Sequence, residues 1–258
     1  APPPPGARPG GPAAPAVRAP PGPARARAQD VLLAAVAQAV AEWTGEREVV
    51  LDVETHGRAD LFPEVDLSRT VGWFTAVHPV TVAPDRSPGE AGEVGEARET
   101  GETGEAGPAA TYRTVRALLA GLPAEGLGHG LLRHAASDPA VRARLAARPP
   151  ATVNVNYLGR AGRLVGGGAP AEGRVLTPLP LAGTGDRGPD NPRPYPLEVS
   201  ALLIDDRLLV RVRHNAVAHP QTDVQRLLDR VLTGLTAIVS TLATVPAADR
   251  AHPLAGGQ

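Results

Sequence analysis

Prolines and glycines crowd into a few stretches of this chain, and that crowding limits what can fold more than any other feature. Residues 1–28 hold Pro2-Pro3-Pro4-Pro5 and repeated Gly-Pro, Arg-Pro and Ala-Pro steps. Each proline fixes φ and removes an amide donor, so this stretch is expected to be a disordered linker, extended and solvated. Residues 83–109 repeat Gly-Glu steps, among them Gly92-Glu93, Gly95-Glu96, Gly101-Glu102 and Gly104-Glu105. Self-repelling carboxylates on flexible glycines bury too little apolar surface to offset chain entropy, which predicts a disordered acidic loop. A flexible tail is expected over 246–258. The remainder of 29–245 suffices for one compact lobe.

Within that lobe the hydrophobic pattern switches between helical and strand periods. Leu32, Leu33, Val36, Val40 and Trp43 recur at helical spacing behind Asp30 as an expected N-cap, with Gly45 just past the end. Val49–Val53 and Trp73–Val82 read as buried strands, Tyr112–Leu122 as a helix, and Leu131–His134 and Pro139–Ala147 as two short ones. A strand follows over Asn154–Leu158, then a Gly/Pro-rich connection over Arg160–Pro192. Pro196–Ile204 and Arg207–His214 read as a hairpin turned at Asp205-Asp206. Val224, Leu227, Leu228, Val231, Leu235, Ile238 and Leu242 draw an apolar stripe along a long helix opened by Pro220 and Thr222. Strands interleaved with helices predict an α/β sandwich.

Composition narrows the chemistry. A net charge of -1 gives no overall bias toward nucleic acid or membrane. The absence of cysteine removes disulfides, thiolate nucleophiles and cysteine metal sites. No run of roughly 18 apolar residues occurs and the start lacks a signal-peptide core, so the expectation is a cytoplasmic protein. With no methionine, position 1 included, a fragment of a longer product is expected. The seven histidines show no metal-ligand spacing, so no metal is expected. There is no Gly-x-Ser-x-Gly elbow, and Gly126-x-Gly128-x-Gly130 has its third glycine misplaced for a dinucleotide.

Glu54, His56 and Arg58 alternate at the carboxyl end of the first predicted strand, so on an extended backbone all three point to one side. An apolar floor there would raise the Glu54 carboxyl toward neutrality and make it a usable base. Taken from spacing alone, Glu54, His56, Arg58 and Asp60 read first as a structural polar cluster closing a strand end, as charged residues there commonly do.

The order of motifs resembles the epimerization-type condensation domains of nonribosomal peptide synthetases. Glu54, His56, Gly57 and Arg58 match the family's Glu-Gly-His-Gly-Arg-Glu, with Thr55 and Ala59 as departures. Arg69 to Thr75 match Arg-Thr-Val-Gly-Trp-Phe-Thr in full. Leu122–Gly130 is similar to Pro-x-x-Gly-x-Gly-Tyr-Gly, with His129 in place of Tyr, and Val153–Gly159 is similar to Phe-Asn-Tyr-Leu-Gly. Arg193–Asn215 looks like the closing strand pair. The family's His-His-x-x-x-Asp-Gly is absent, which implies a C-terminal lobe only.

The resemblance implies the chloramphenicol-acetyltransferase-like sandwich and inversion of the α-carbon of an aminoacyl or peptidyl thioester. The substrate would be presented on the 4'-phosphopantetheine of a peptidyl carrier protein, with no cofactor bound directly. The implied partners are that carrier domain and the missing N-terminal lobe. Glu54 is implied as the catalytic carboxylate beside His56 and Asn156, with Arg58, Tyr157 and Trp73 at the substrate. Trp73 and Phe74 read as core or channel wall, because the chain has few aromatics and needs them for packing. Two other functions stay open: half of an amide-forming condensation domain, and a non-catalytic carrier-docking lobe, for which Thr55, Ala59, His129 and the acidic insertion argue.

Overall fold

The computed structural model describes residues 17–18, 28–59, 61–62, 64–67, 69–84, 107–160, 193–204 and 207–244. The acidic repeats, Asp60, the Asp205-Asp206 turn, most of the Arg160–Pro192 connection and the 246–258 tail lie outside the described residues.

Six strands form one mixed sheet: β1 (Val17–Arg18), β2 (Val49–Thr55), β3 (Ala76–Val82), β4 (Val153–Arg160), β5 (Leu197–Ile204) and β6 (Arg207–His214). Their order is β1-β6-β5-β4-β2-β3. The central strand β4 runs parallel to β2 and to β5, whereas β2–β3, β5–β6 and β1–β6 are antiparallel. Val17–Arg18, within the expected linker, adds to the edge of β6.

The helices are α1 (Ala28–Thr44), α2 (Pro108–Ala120), α3 (Leu127–Ala135), α4 (Pro139–Ala146) and α5 (Gln221–Thr244), with a short 3-10 turn over Pro123–Gly126. Alternation along the strands sends Leu51, Val53, Val153, Val155, Val199, Ala201 and Val210 into a core shared with α1, α2 and α5. Alanines 34, 35, 37, 39 and 41 are buried on α1, and an added Cβ on Gly234 of α5 would lie 3.4 Å from the Ala35 side chain. Small residues on both helices thus allow close approach. α5 is long and apolar enough to cross a membrane by length and composition. Its stripe Val224, Leu227, Val231, Leu235 and Ile238 is spent on the core instead.

Several boundaries differ from expectation. Helix α1 starts at Ala28, so Asp30 is a buried residue of its first turn and not the N-cap. Helix α2 starts at Pro108, where a proline at N1 costs no hydrogen bond. α3 is a full nine residues and starts at Leu127. The Asp138 side chain caps α4 by accepting from the Ala140 amide at 2.8 Å. Strand β3 begins only at Ala76: Trp73 is 92% exposed and is not part of this lobe's core.

Candidate active site

The sheet face turned away from α1 and α5 carries the polar residues, and the strand register sets them in two rows. Asp52, Asn154, Glu198 and Arg213 form the lower row; Glu54, Asn156, Ser200 and Arg211 form the upper one. Parallel pairing of β2 with β4 puts Glu54 directly beside Asn156, whose Nδ2 donates to Glu54 Oε2.

Glu54 is half-buried, and burial pushes its carboxyl above the ordinary range. The Glu198 charge pushes the same way, while the Asn154 and Asn156 amides favour the charged form and pull it back. Asn154 is itself buried, and its Nδ2 makes no bond of good geometry. Tyr195, on the segment entering β5, donates its hydroxyl to Asp52 Oδ2 at 2.8 Å. Burial first and the Asp52 carboxylate second raise that phenol, so it stays protonated. Glu198 lies 3.9 Å from Arg193 and 4.0 Å from Arg213.

The expected alternation of Glu54, His56 and Arg58 stops at the end of β2. Gly57 turns the chain at φ +62, and a Cβ there would sit 1.7 Å from the Phe74 carbonyl oxygen. His56 consequently swings outward: its Nδ1 accepts from the Arg58 amide at 3.0 Å and its Nε2 lies 3.5 Å from Glu125. The ring is largely exposed.

Arg58 turns onto the following loop. Its guanidinium donates to the Leu67 carbonyl at 2.6 Å and to the Thr70 carbonyl at 2.9 Å, and it stacks 4.3 Å over the Phe74 ring. Its observed partners are the Leu67–Phe74 loop, not Glu54. Tyr157 is likewise on the other side of the sheet from Glu54, packed against the core, because it is one residue removed from Asn156.

The Gly126–Gly130 segment closes over β3. A Cβ on Gly126, at φ +83, would lie 2.2 Å from His78 Nδ1. His78 is buried with neither ring nitrogen hydrogen-bonded, and burial and the nearby His129 both lower its basicity.

Of the residues expected at the site, the structure unites Glu54 and Asn156 and directs His56, Arg58, Trp73 and Tyr157 elsewhere. Sequence reasoning missed Asp52, Asn154, Tyr195 and Glu198. The signal for the first two was present, since each stands two positions before a residue already singled out and so shares its face of the sheet.

Comparison with known proteins fits this arrangement. The condensation-domain family model matches residues 23–100. A linear gramicidin synthase of Brevibacillus parabrevis is 31% identical over 222 residues, covering 84% of this chain. Chondramide synthase of Chondromyces crocatus is 32% identical over 198 residues, covering 77%. The chain belongs to the condensation-domain superfamily of nonribosomal peptide synthetases. This condensation-superfamily lobe spans only 4% of either synthase. Its fold matches the crystal structure of the epimerization domain from the third module of tyrocidine synthetase B with a TM-score of 0.64 at 24% identity, covering 85% of this chain and 43% of that one. A second structure, holo T3CT, matches with a TM-score of 0.54 at 16% identity over 87% of this chain and 44% of that one. The expected chloramphenicol-acetyltransferase-like α/β sandwich, C-terminal lobe only, is the fold observed.

Proposed function

We propose that this condensation-superfamily lobe is the C-terminal half of an epimerization domain, in which Glu54 is one member of an acid–base pair that inverts the α-carbon of a carrier-bound aminoacyl or peptidyl thioester. The observation that carries this reading is a half-buried carboxylate, raised by burial, on the polar face of the sheet with an in-register amide donor.

Inversion needs the α C–H bond to break, with its electron pair passing into the thioester carbonyl as an enolate. A proton must then return from the opposite face. A carboxyl above its ordinary range is suited to both halves of that exchange, since it takes up a proton readily and releases it again. Asn156 steadies the charged form of Glu54. Asn156, in register beside Glu54, is the amide donor offered to a developing enolate. Arg58 has a different role in this reading: it fixes the Leu67–Phe74 loop that carries the exposed Trp73, which would then line the substrate channel. His56 is held away from Glu54 and serves as a contact to Glu125.

The second acid–base group belongs to the N-terminal lobe, and the substrate to the 4'-phosphopantetheine arm of a peptidyl carrier domain. Cytoplasmic location forms part of the same proposal. One positioned acid or base contributes about 10²- to 10⁴-fold, short of the roughly 10⁶-fold or more of a working enzyme, so the lobe requires its partner.

The test supplies the N-terminal lobe in trans and follows loss of α-tritium from a carrier-bound aminoacyl thioester. Glu54→Gln is expected to slow that loss by about 10²- to 10⁴-fold; an unchanged rate removes Glu54 from the mechanism. A lengthened peptide in place of a D-residue would assign amide-bond formation instead. Carrier binding with no exchange would assign a docking lobe.

A further inference from the structure

The polar face around Glu54 gives way to an apolar one within a single step along the strands. Leu158 stands two residues beyond Asn156 on β4, and Leu202 two beyond Ser200 on β5, where it pairs with Leu209 of β6. Their strand neighbours Tyr157, Ala201, Leu203, Leu208 and Val210 belong to the core or pack on it. Alternation turns the three leucines to the opposite face, the one that carries Glu54 and Asn156. It holds through Leu158, because the left-handed turn of β4 comes only at Gly159, φ +83. Leu158 is 58% exposed, and Leu202 and Leu209 are half-buried. The other directions from Glu54 are polar. In the lower row Asp52 accepts from Tyr195, and Glu198 lies beside Arg193 and Arg213. The upper row itself runs past Ser200 to the exposed Arg211.

We propose that Leu158, with Leu202 and Leu209 behind it, is the subsite for the side chain of the residue being inverted, and that the substrate is a carrier-bound thioester of an apolar amino acid. The proposal rests on the reading of Glu54 given above, since it takes the α-carbon to lie against that carboxylate. Two residues of strand span about 7 Å and neighbouring strands lie about 5 Å apart. A side chain of leucine or phenylalanine size, projecting from an α-carbon held between Glu54 and Asn156, therefore covers Leu158 and extends toward Leu202. It removes apolar surface from water that no residue of the core covers. A charged side chain in the same place loses hydration and gains no partner from three leucines.

With the N-terminal lobe supplied, α-tritium loss is compared for leucyl, alanyl and aspartyl thioesters on one carrier. The kcat/KM for leucyl should exceed that for aspartyl by at least about tenfold. Leu158→Arg should lower this ratio by at least about tenfold, and Leu158→Ala should lower the leucyl-to-alanyl ratio severalfold. Ratios that neither variant moves overturn the proposal, as does a preference for the aspartyl thioester, which would give the side chain to Arg211. A second readout needs no turnover. Leucine-methyl-labelled chain, in the presence of the N-terminal lobe, is titrated with a leucyl-pantetheine analogue whose thioester sulfur is replaced by nitrogen. The Leu158 and Leu202 methyl signals, identified by their loss in Leu158→Ala and Leu202→Ala, should shift with this analogue and not with its aspartyl counterpart. Signals that shift on adding the lobe alone and no further with the analogue assign the leucines to the contact between lobes and overturn the proposal. Shifts caused by the leucyl analogue in a chain without exchange activity keep the subsite and refute the proposed function. Exchange that Glu54→Gln abolishes, with ratios unmoved by either Leu158 variant, does the reverse.

Discussion

Glu54 sits where its charge is costly, and that cost has a readable pH signature. Its carboxyl is raised by burial above the ordinary 4.5. The folded chain therefore holds this proton more tightly than the unfolded chain, and stability falls as pH rises from about 4.5 through the folded value. Glu54→Gln lacks this penalty and still offers an acceptor to Asn156. Urea unfolding should show the variant equal to the parent below pH 4.5 and more stable at neutral pH; a variant less stable at neutral pH would contradict a desolvated carboxylate. His78 works in the opposite sense. Its basicity is lowered from 6.5, so its contribution is present above that pH and is lost as pH falls below it toward the folded value. His78→Gln should flatten that acid-side decline, as measured by the same unfolding curves. Gly57 gives the sharpest backbone case. Gly57→Ala places a Cβ against the Phe74 carbonyl and in left-handed φ, so a loss of at least about 2 kcal/mol is expected by thermal unfolding.

At the scale of elements, Arg58 anchors the described residues of the Leu67–Phe74 loop. Lysine at position 58 cannot fork to the Leu67 and Thr70 carbonyls while stacking on Phe74. Arg58→Lys should speed amide exchange in this loop while leaving α1 and α5 protected; uniform protection would mean the loop has other anchors. The pair α1–α5 is the opposite kind of element, stabilised by burial. Leu235, 1% exposed on α5, should cost about 2–5 kcal/mol on replacement by alanine, as read from denaturant midpoints. Helix periodicity made α1 and α5 legible before any coordinates, because their apolar residues recur at the spacing of a single face. The start of β3 was misjudged for an identifiable reason. Trp73 and Phe74 are strand-forming residues by propensity, yet here they belong to the loop that Arg58 gathers, and tertiary contacts decide between the two.

Across the whole molecule, the fold class was legible because motif order and the interleaving of strand and helix periods agree on an α/β sandwich. The candidate site was legible only in part. Glu54 and Asn156 were identified through motifs, but the strand pairing that sets them side by side is not written in either segment, and neither is the contact of Tyr195 with Asp52. Alternation also fails silently at a turn: nothing short of the Gly57 backbone reveals that His56 and Arg58 leave the face that Glu54 occupies. Asn156 meets Glu54 from 102 positions further along the chain. At synthesis rates of about 5–20 residues per second, the carboxylate leaves the ribosome roughly 5–20 s before its amide partner exists. A nascent chain thus carries this carboxylate for several seconds without the amide that later pairs with it, and the pair forms only when the middle of the sheet is filled.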